Sequence, residues 1–367
     1  MTYKQSEKEL LFERGSITLD RTKSPANDIV DIVSETLFGT PGSMRYRHKD
    51  TREYIHQIDN PYFLALRRND VLLGTVTICT RPILHTVAPT TAYHVRYFAF
   101  NEKFRSTSRE TQKRQKSNFL LDLIFNQLEA EHFPETGGGV FYAYVERENV
   151  RSAELCERFG FNPIRKMTTS IFSRMFPKKD NRVSRLNADD KGQMKQLLHD
   201  YYKGYSFFTT ENLFKDDNYF VLKEGNEIVA GIQALPTHWK MEEMSGPVGA
   251  LAMNLLPKLP ILSRVFNPNA YNFLAGEGVY CKKGYEHLIP VLFEAVCAET
   301  GYYSINIWSD IESSLYQLLQ GIKSKGVLER FNDKNTADVI VKYSEISEET
   351  ARDIESRPTY ISGFDLA

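Results

Sequence analysis

The hydrophobic pattern along the chain repeats itself. Tyr62-Phe63-Leu64-Ala65-Leu66 is a short apolar run that ends in Arg67-Arg68-Asn69-Asp70 and is answered by Val71-Leu72-Leu73-Gly74. Tyr219-Phe220-Val221-Leu222 leads through Lys223-Glu224-Gly225-Asn226 into Glu227-Ile228-Val229-Ala230-Gly231 at constant offset, with Tyr-Phe, Asn and Gly identical. Apolar runs of strand length around a tight Asn-containing turn predict a β-hairpin in each row.

The pattern around each hairpin agrees in order. The first copy opens with a strand at Ser16 to Leu19 and a helical stretch from Pro25 to Leu37. After its hairpin come a strand at Ala92 to Phe100, a helix from Ser117 to Glu131 and a strand at Val140 to Val145. A helix from Arg151 to Phe159 and an extended closing segment from Asn162 to Phe176 complete it. The second copy opens at Arg182 to Leu186 and Gln193 to Tyr202. It continues with a strand at Asn272 to Tyr280, a helix at Tyr285 to Thr300 and a strand at Tyr303 to Trp308. A helix at Glu312 to Gln320 precedes a closing segment from Val327 to Tyr343. The order β-α-β-β-β-α-β-α-β thus occurs twice, and a repeat of this length sets the domain organisation. The polar, Pro-containing joint at Phe176 to Asn181 divides the chain into residues 1–178 and 179–367. The expected fold class is α/β (α+β): two mixed-sheet modules with helices on both faces, packed as a pseudo-dimer.

Composition narrows the function classes. The 367 residues carry 46 Lys plus Arg against 47 Asp plus Glu, so no overall field steers the chain onto nucleic acid. A 41% hydrophobic and 25% charged composition is that of a globular chain. The surplus of 23 Phe and 20 Tyr over 2 Trp reads as material for two cores and two clefts. Cys79, Cys156, Cys281 and Cys297 are scattered singly, so neither a zinc site nor a disulfide framework is expected. The N-terminal stretch is charged throughout, which places the protein in the cytoplasm. The stretch from Gly246 to Phe266 is apolar, but Pro257, Lys258, Pro260 and Arg264 break it, and no transmembrane segment is expected. This insertion, between the third and fourth strands of the second copy, is read as acyl-pocket lining, as packing, or as a membrane-touching surface.

Asn149, Ser152, Leu155, Cys156, Gly160 and Phe161 fall at intervals 0, 3, 6, 7, 11 and 12. This spacing, a short helix with one apolar face ended by a glycine, resembles the signature of the GNAT acyltransferase superfamily. Asp310, Ser313, Tyr316 and Gly321 are a looser echo in the second copy. The whole chain resembles a tandem GNAT protein. That resemblance implies an acyl-CoA-dependent N-acyltransferase, most simply an acetyltransferase. The donor is acetyl-CoA or a longer acyl-CoA, and the acyl group passes by direct attack to the primary amine of a small molecule or peptide. The alternative is a degenerate tandem protein that binds acyl-CoA or a peptide partner without turnover. No nucleic acid partner is implied, and the protein is expected as a monomer or homodimer.

The superfamily places the CoA pyrophosphate on the N-terminus of the helix after the fourth strand, where backbone N–H groups and the helix dipole favour an anion. In the first copy this region departs from the usual glycine-rich marker but carries Arg105, Arg109, Lys113, Arg114 and Lys116, with Ser117 at the glycine position. It is read either as a phosphate site or as a solvated loop. In the second copy Lys283 and Gly284 hold the equivalent turn. Asn149 joins the cofactor-binding candidates. For chemistry, Glu277 lies between glycines in an apolar strand and is the candidate base, with Tyr97 projected onto the equivalent place of the first copy. Tyr316 and Cys156 occupy the position where the superfamily keeps its proton donor. Each has a bland alternative as an edge or core residue.

Overall fold

The computed structural model describes residues 8–84, 86–101, 138–332 and 336–366. Its strands are β1 (Glu9–Arg14), β2 (Ile17–Thr22), β3 (Arg45–His48), β4 (Pro61–Arg68), β5 (Val71–Ile83), β6 (Thr90–Phe100), β7 (Gly139–Glu146) and β8 (Asn162–Ser173). The second half adds β9 (Val183–Arg185), β10 (Tyr219–Glu224), β11 (Glu227–Glu243), β12 (Tyr271–Cys281), β13 (Ser304–Asp310) and β14 (Thr336–Ser344). All join one sheet in the order β1-β2-β4-β5-β6-β7-β14-β8-β13-β12-β11-β10-β9, with β3 laid on the far end of β11.

The centre of that order shows how the two copies are joined. Strand β14, which closes the second copy, pairs along its length with β7 of the first, from Ala337 opposite Glu146 to Ser344 opposite Gly139. Strand β8, which closes the first, pairs with β13 of the second, and β8 and β14 pair with each other. The copies have exchanged their closing strands. Their hydrogen-bond ladders form one continuous sheet without an edge between them.

Both hairpins appear as expected, and the repeat extends to a shared irregularity. In β4/β5 the register slips between Leu66 and Arg67, and in β10/β11 between Leu222 and Lys223, one residue earlier relative to the shared hairpin pattern. Asn69 and Asp70 close the first turn with φ of 47° and 63°, the left-handed values a two-residue hairpin needs. The strands are apolar on both faces because helices cover both. Phe63 and Ala65 share a core with Ile29 and Val33 of the Asn27–Ser34 helix, whereas Leu64 and Leu66 face Leu155 and Phe159 on the opposite side. In the second copy Phe220 and Leu222 meet Leu292 and Phe293 of the Ile289–Thr300 helix, and Tyr219 and Val221 meet Met194 and Leu198.

Strands β1 and β3, the Glu348–Ser356 helix and the buried tail after it are additions to the expected order. The expected helix from Ser117 to Glu131 lies outside the described residues. No helix among them is long and apolar enough to cross a membrane.

Candidate functional site

Every neighbouring pair in the sheet is antiparallel except two, β6/β7 and β12/β13. A parallel pair in an otherwise antiparallel sheet has no hairpin to hold its far ends together. In the first copy the ladder runs from Thr91 opposite Gly139 to His94 opposite Tyr142 and stops, while β6 continues to Phe100 and β7 to Glu146. The other edges of both strands remain paired, with β5 and β14. The edges facing each other past His94 and Tyr142 therefore carry N–H and C=O groups without ladder partners among the described residues.

A bulge in β6 widens this gap. Thr75 pairs with Ala99 but Thr77 with Arg96, and the extra residue Tyr97 takes φ of 53°. Strand β12 repeats it: Gly231 pairs with Tyr280, Gln233 with Glu277, and Gly278 has φ of 57°. The bulges show that Gly278 is the counterpart of Tyr97 and that Glu277 corresponds to Arg96. The expected equivalence of Tyr97 and Glu277 is thus off by one residue, because the sequence pattern gives no sign of where the extra residue sits.

The two gaps have different contents. In the first, the strands part around a cavity of about 440 Å³ lined by His94 to Phe98, by Ala143 to Glu146, and by Asn149, Ser152, Leu155 and Cys156. In the second, the β12/β13 ladder ends at Gly276 opposite Ile307, and the C-terminal tail enters there. The Thr359 N–H donates to Asp310 Oδ2 on β13 at 2.8 Å. On β12, Glu277 Oε1 accepts from Tyr360 Oη and Glu277 Oε2 from the Phe364 N–H, both at 3.1 Å. A Cβ on Gly363 would stand 2.9 Å from the Gly276 carbonyl, so the tail fits only with glycine at that point. Residues 359–365 are buried. The second cleft is occupied by the chain itself.

The tail also reaches the wall of the first cleft. Asp365, on the cavity wall, is gripped by Arg81 through two hydrogen bonds of 2.6 Å. Arg96 Nη1 lies 3.3 Å and His94 Nδ1 3.4 Å away. Burial alone would raise the Asp365 carboxyl, but the Arg81 guanidinium outweighs it and holds the group well below the usual carboxylate range. Burial pushes His94 down to about 3, with Arg81 and Arg96 opposing its charge as well, so the imidazole is neutral. It stacks on Tyr142 at 4.7 Å between ring centroids.

The signature helix, Val150–Arg158, forms one cavity wall. Asn149 caps it by accepting from the Ser152 N–H at 3.1 Å, and Gly160, with φ of 79°, reverses the chain so that the Phe161 N–H reaches the Cys156 carbonyl. Beyond it the cavity runs into an aromatic end built by both copies. Strand β3 brings Tyr46 onto Trp239 of β11, rings stacked at 3.9 Å, and Trp308 and Tyr271 close the space. The Trp239 Nε1–H on this wall has no hydrogen-bond partner among the described residues.

Of the residues picked out from the sequence, Tyr97, Cys156 and Asn149 line the cavity. Tyr97 Oη accepts from Arg96 Nη2 at 2.9 Å, which leaves its own proton to donate. Burial pushes the Cys156 thiol up to about 11. Glu277 does not line the cavity; both oxygens face the tail, and it is a clasp rather than an exposed base. Tyr316, half-buried on the Ser314–Gln320 helix, is also absent from the cavity wall. At the second copy's turn, Gly284 N–H donates to Glu286 Oε1 at 2.9 Å, so the chain's own carboxylate holds the place expected for a phosphate, and Lys283 has no cleft to serve. Arg105, Arg109, Arg114 and Ser117 lie outside the described residues. The sequence reading missed His94, Arg96 and Arg81, which looked like dispersed strand residues, and Asp365, whose role needs the tail's path. The available sign was His94 and Arg96 at alternate positions of β6, with a single arginine, Arg81, in the otherwise apolar and hydroxyl-bearing β5.

Burial raises the Glu277 carboxyl to about 7, with the Asp365 carboxylate adding to the effect. The sign of the pH effect follows. Between the unfolded value of 4.5 and about 7 the folded protein keeps a proton that the unfolded chain has released, so stability falls as pH rises through this window and levels off above it. The whole fall is roughly 3 kcal/mol. Urea midpoints for Glu277→Gln should lose this part of the slope between pH 5 and 8; an unchanged slope would assign it to other groups.

No protein-family model matches the chain, and no curated protein matches it. Solved structures do. The N-myristoyltransferase of Saccharomyces cerevisiae with bound myristoyl-CoA matches with a TM-score of 0.55 at 9% identity, over 96% of this chain and 90% of that one. A second structure of it with myristoyl-CoA gives 0.53 at 10% identity, over 95% and 85%. A GCN5-related N-acetyltransferase from Sphaerobacter thermophilus matches at 0.40 with 11% identity, over 78% and 82%. At these identities the likeness shows the fold alone, shared with the N-myristoyltransferase over nearly the whole of both chains.

Proposed function

We propose that this chain is an acyl-CoA-dependent N-acyltransferase that holds its donor in the β6/β7 cleft of the first copy. The observation that supports this most directly is the contrast between the clefts. One parallel pair opens into a cavity, its facing edges unpaired among the described residues, and the other is filled by the tail.

The chemistry asks for a dry slot, donors at the thioester oxygen, a neutral amine and a proton for the leaving thiolate. The slot is the gap past His94 and Tyr142, whose unpaired N–H groups lie where a carbonyl can be polarised. The amine lone pair forms the new C–N bond, the C–S bond breaks, and the sulfur takes a proton. Tyr97 supplies that proton from a hydroxyl already oriented by Arg96, and Cys156 is a second protonated group on the same wall. His94, held neutral, takes the proton that the amine nitrogen sheds as the amide forms, Asp365 stabilises the imidazolium, and that proton replaces the one Tyr97 gave to sulfur. The cavity runs past the helix wall to an aromatic end lined by Tyr46, Trp239, Trp308 and Tyr271, which favours a longer acyl chain; the structurally similar yeast protein holds myristoyl-CoA.

Calorimetric titration of the full chain with CoA, acetyl-CoA, octanoyl-CoA and myristoyl-CoA tests this, followed by thiol release on adding an amine or a short peptide. One site per chain is expected, with affinity rising up to about fourfold for each buried methylene. Two sites would contradict the filled second cleft. Binding without thiol release to any amine would favour the non-catalytic alternative, and no binding to any CoA ester would sink the acyltransferase reading.

A further inference from the structure

We propose that the apolar insertion between β11 and β12 seats this protein on an anionic lipid surface. The insertion folds as the Gly246–Asn254 helix, a 3-10 turn at Leu256–Lys258 and the Leu262–Val265 helix. One side is buried: Ala252, Leu256, Val265 and Phe266 belong to the core around the aromatic end of the cavity. The other side, which should be polar on an ordinary surface helix, is apolar. Leu251 and Leu255, one helical turn apart, are 45% and 44% exposed, and Leu259 and Ile261 follow at 40% and 46%. Four of the eleven exposed large hydrophobic residues among those described thus fall within a single short stretch. Scattered exposed leucines are ordinary, whereas a continuous row of them calls for an occupant.

Charge identifies the occupant. From Met244 to Gly276 the sequence contains no Asp or Glu, but it does contain Lys258 and Arg264, both exposed. Lys49, also exposed, is tied to the insertion's end through the Asn269 carbonyl at 2.8 Å. The acidic residues just upstream are already matched: Glu242 faces Lys240 and Arg47, and Glu243 faces Arg45. An apolar row flanked by cations that are unopposed among the described residues is the pattern of an element that lies in a membrane interface, the leucines reaching the acyl boundary and the cations the anionic headgroups. A protein partner of ordinary polarity offers the cations nothing, and a second copy of this insertion would bring like charges together. Met244 and Phe266, at the two ends of the insertion, line the cavity, so the proposed membrane face and the cavity share one element.

The test is flotation of the full chain with phosphatidylcholine vesicles, with and without about one third phosphatidylglycerol. The wild type should float with the anionic vesicles and be released by salt. Leu251→Asp with Leu255→Asp should lower partitioning by at least about tenfold, and Lys258→Gln with Arg264→Gln should lower it less, by about fivefold for each cation, while weakening the salt dependence. All four positions are exposed and outside the cavity, so circular dichroism and soluble acyl-CoA titrations should match the wild type. If the leucine variant does not fold, the charge variant carries the test alone. Wild type that stays with the soluble fraction, or variants that float like the wild type, would overturn the proposal. So would a wild-type dimer, seen by light scattering, that the leucine variant abolishes.

Discussion

Asp365→Asn is expected to lower the free energy of unfolding by about 3–5 kcal/mol. The side chain keeps its shape and one acceptor, so the loss is one of charge. In the native protein Asp365 neutralises two buried guanidiniums, Arg81 with two bonds of 2.6 Å and Arg96 at 3.3 Å. Without it their remaining counter-charge is Glu211, whose carboxylate stands 3.6 Å from Arg81 Nε. Urea unfolding at neutral pH reads the change. Arg81→Gln added to Asp365→Asn should recover part of the loss, because the second change removes one of the stranded charges, and the double-mutant cycle measures the coupling. The exposed Arg352–Glu348 pair, with side chains 75% and 93% exposed, is the control and should change stability by less than about 0.5 kcal/mol when broken. A loss of that small size at Asp365 would mean that water or relaxation screens the cluster.

That cluster also marks the boundary of what the sequence shows. The tandem order was legible because both copies spend their apolar residues alike: the Tyr-Phe hairpin needs a strand buried on both faces, and an Asn or Gly at the turn needs left-handed φ. The signature helix was legible for the same local reason, a cap at Asn149 and a reversal at Gly160. The exchange of β8 and β14 was not. An isolated closing strand looks identical whether it pairs within its own copy or with the other, since the choice is made by tertiary register. Glu277 was noticed because a carboxylate in an apolar strand needs a partner, and the partner exists. It is the tail, which no pattern in residues 357–366 ties to β12. Choosing Glu277 as a catalytic group therefore followed the right physical signal to a structural clasp, while the residues that line the open cleft, His94 and Arg96, looked like ordinary alternation in β6.

Ala143→Trp is expected to abolish acyl-CoA binding, weakening it by about a hundredfold or more while leaving the chain folded. Ala143 is the first β7 residue beyond the last rung with β6, and it forms part of the cavity wall. Its neighbours on the wall include Leu155 and Cys156 of the signature helix, so an indole there takes up cavity space between β7 and that helix. A donor that threads the gap must be displaced, and a hundredfold corresponds to about 2.7 kcal/mol, less than the loss from a blocked slot that forfeits both backbone hydrogen bonds and apolar contact. Calorimetry with the tightest-binding acyl-CoA makes the measurement, and thermal unfolding checks the fold. If the donor instead used the β12/β13 cleft, the change would leave its affinity untouched, and substitutions in the tail would control binding. Ala143→Trp retaining wild-type affinity would therefore remove the first cleft as the donor site, whatever activity the chain shows.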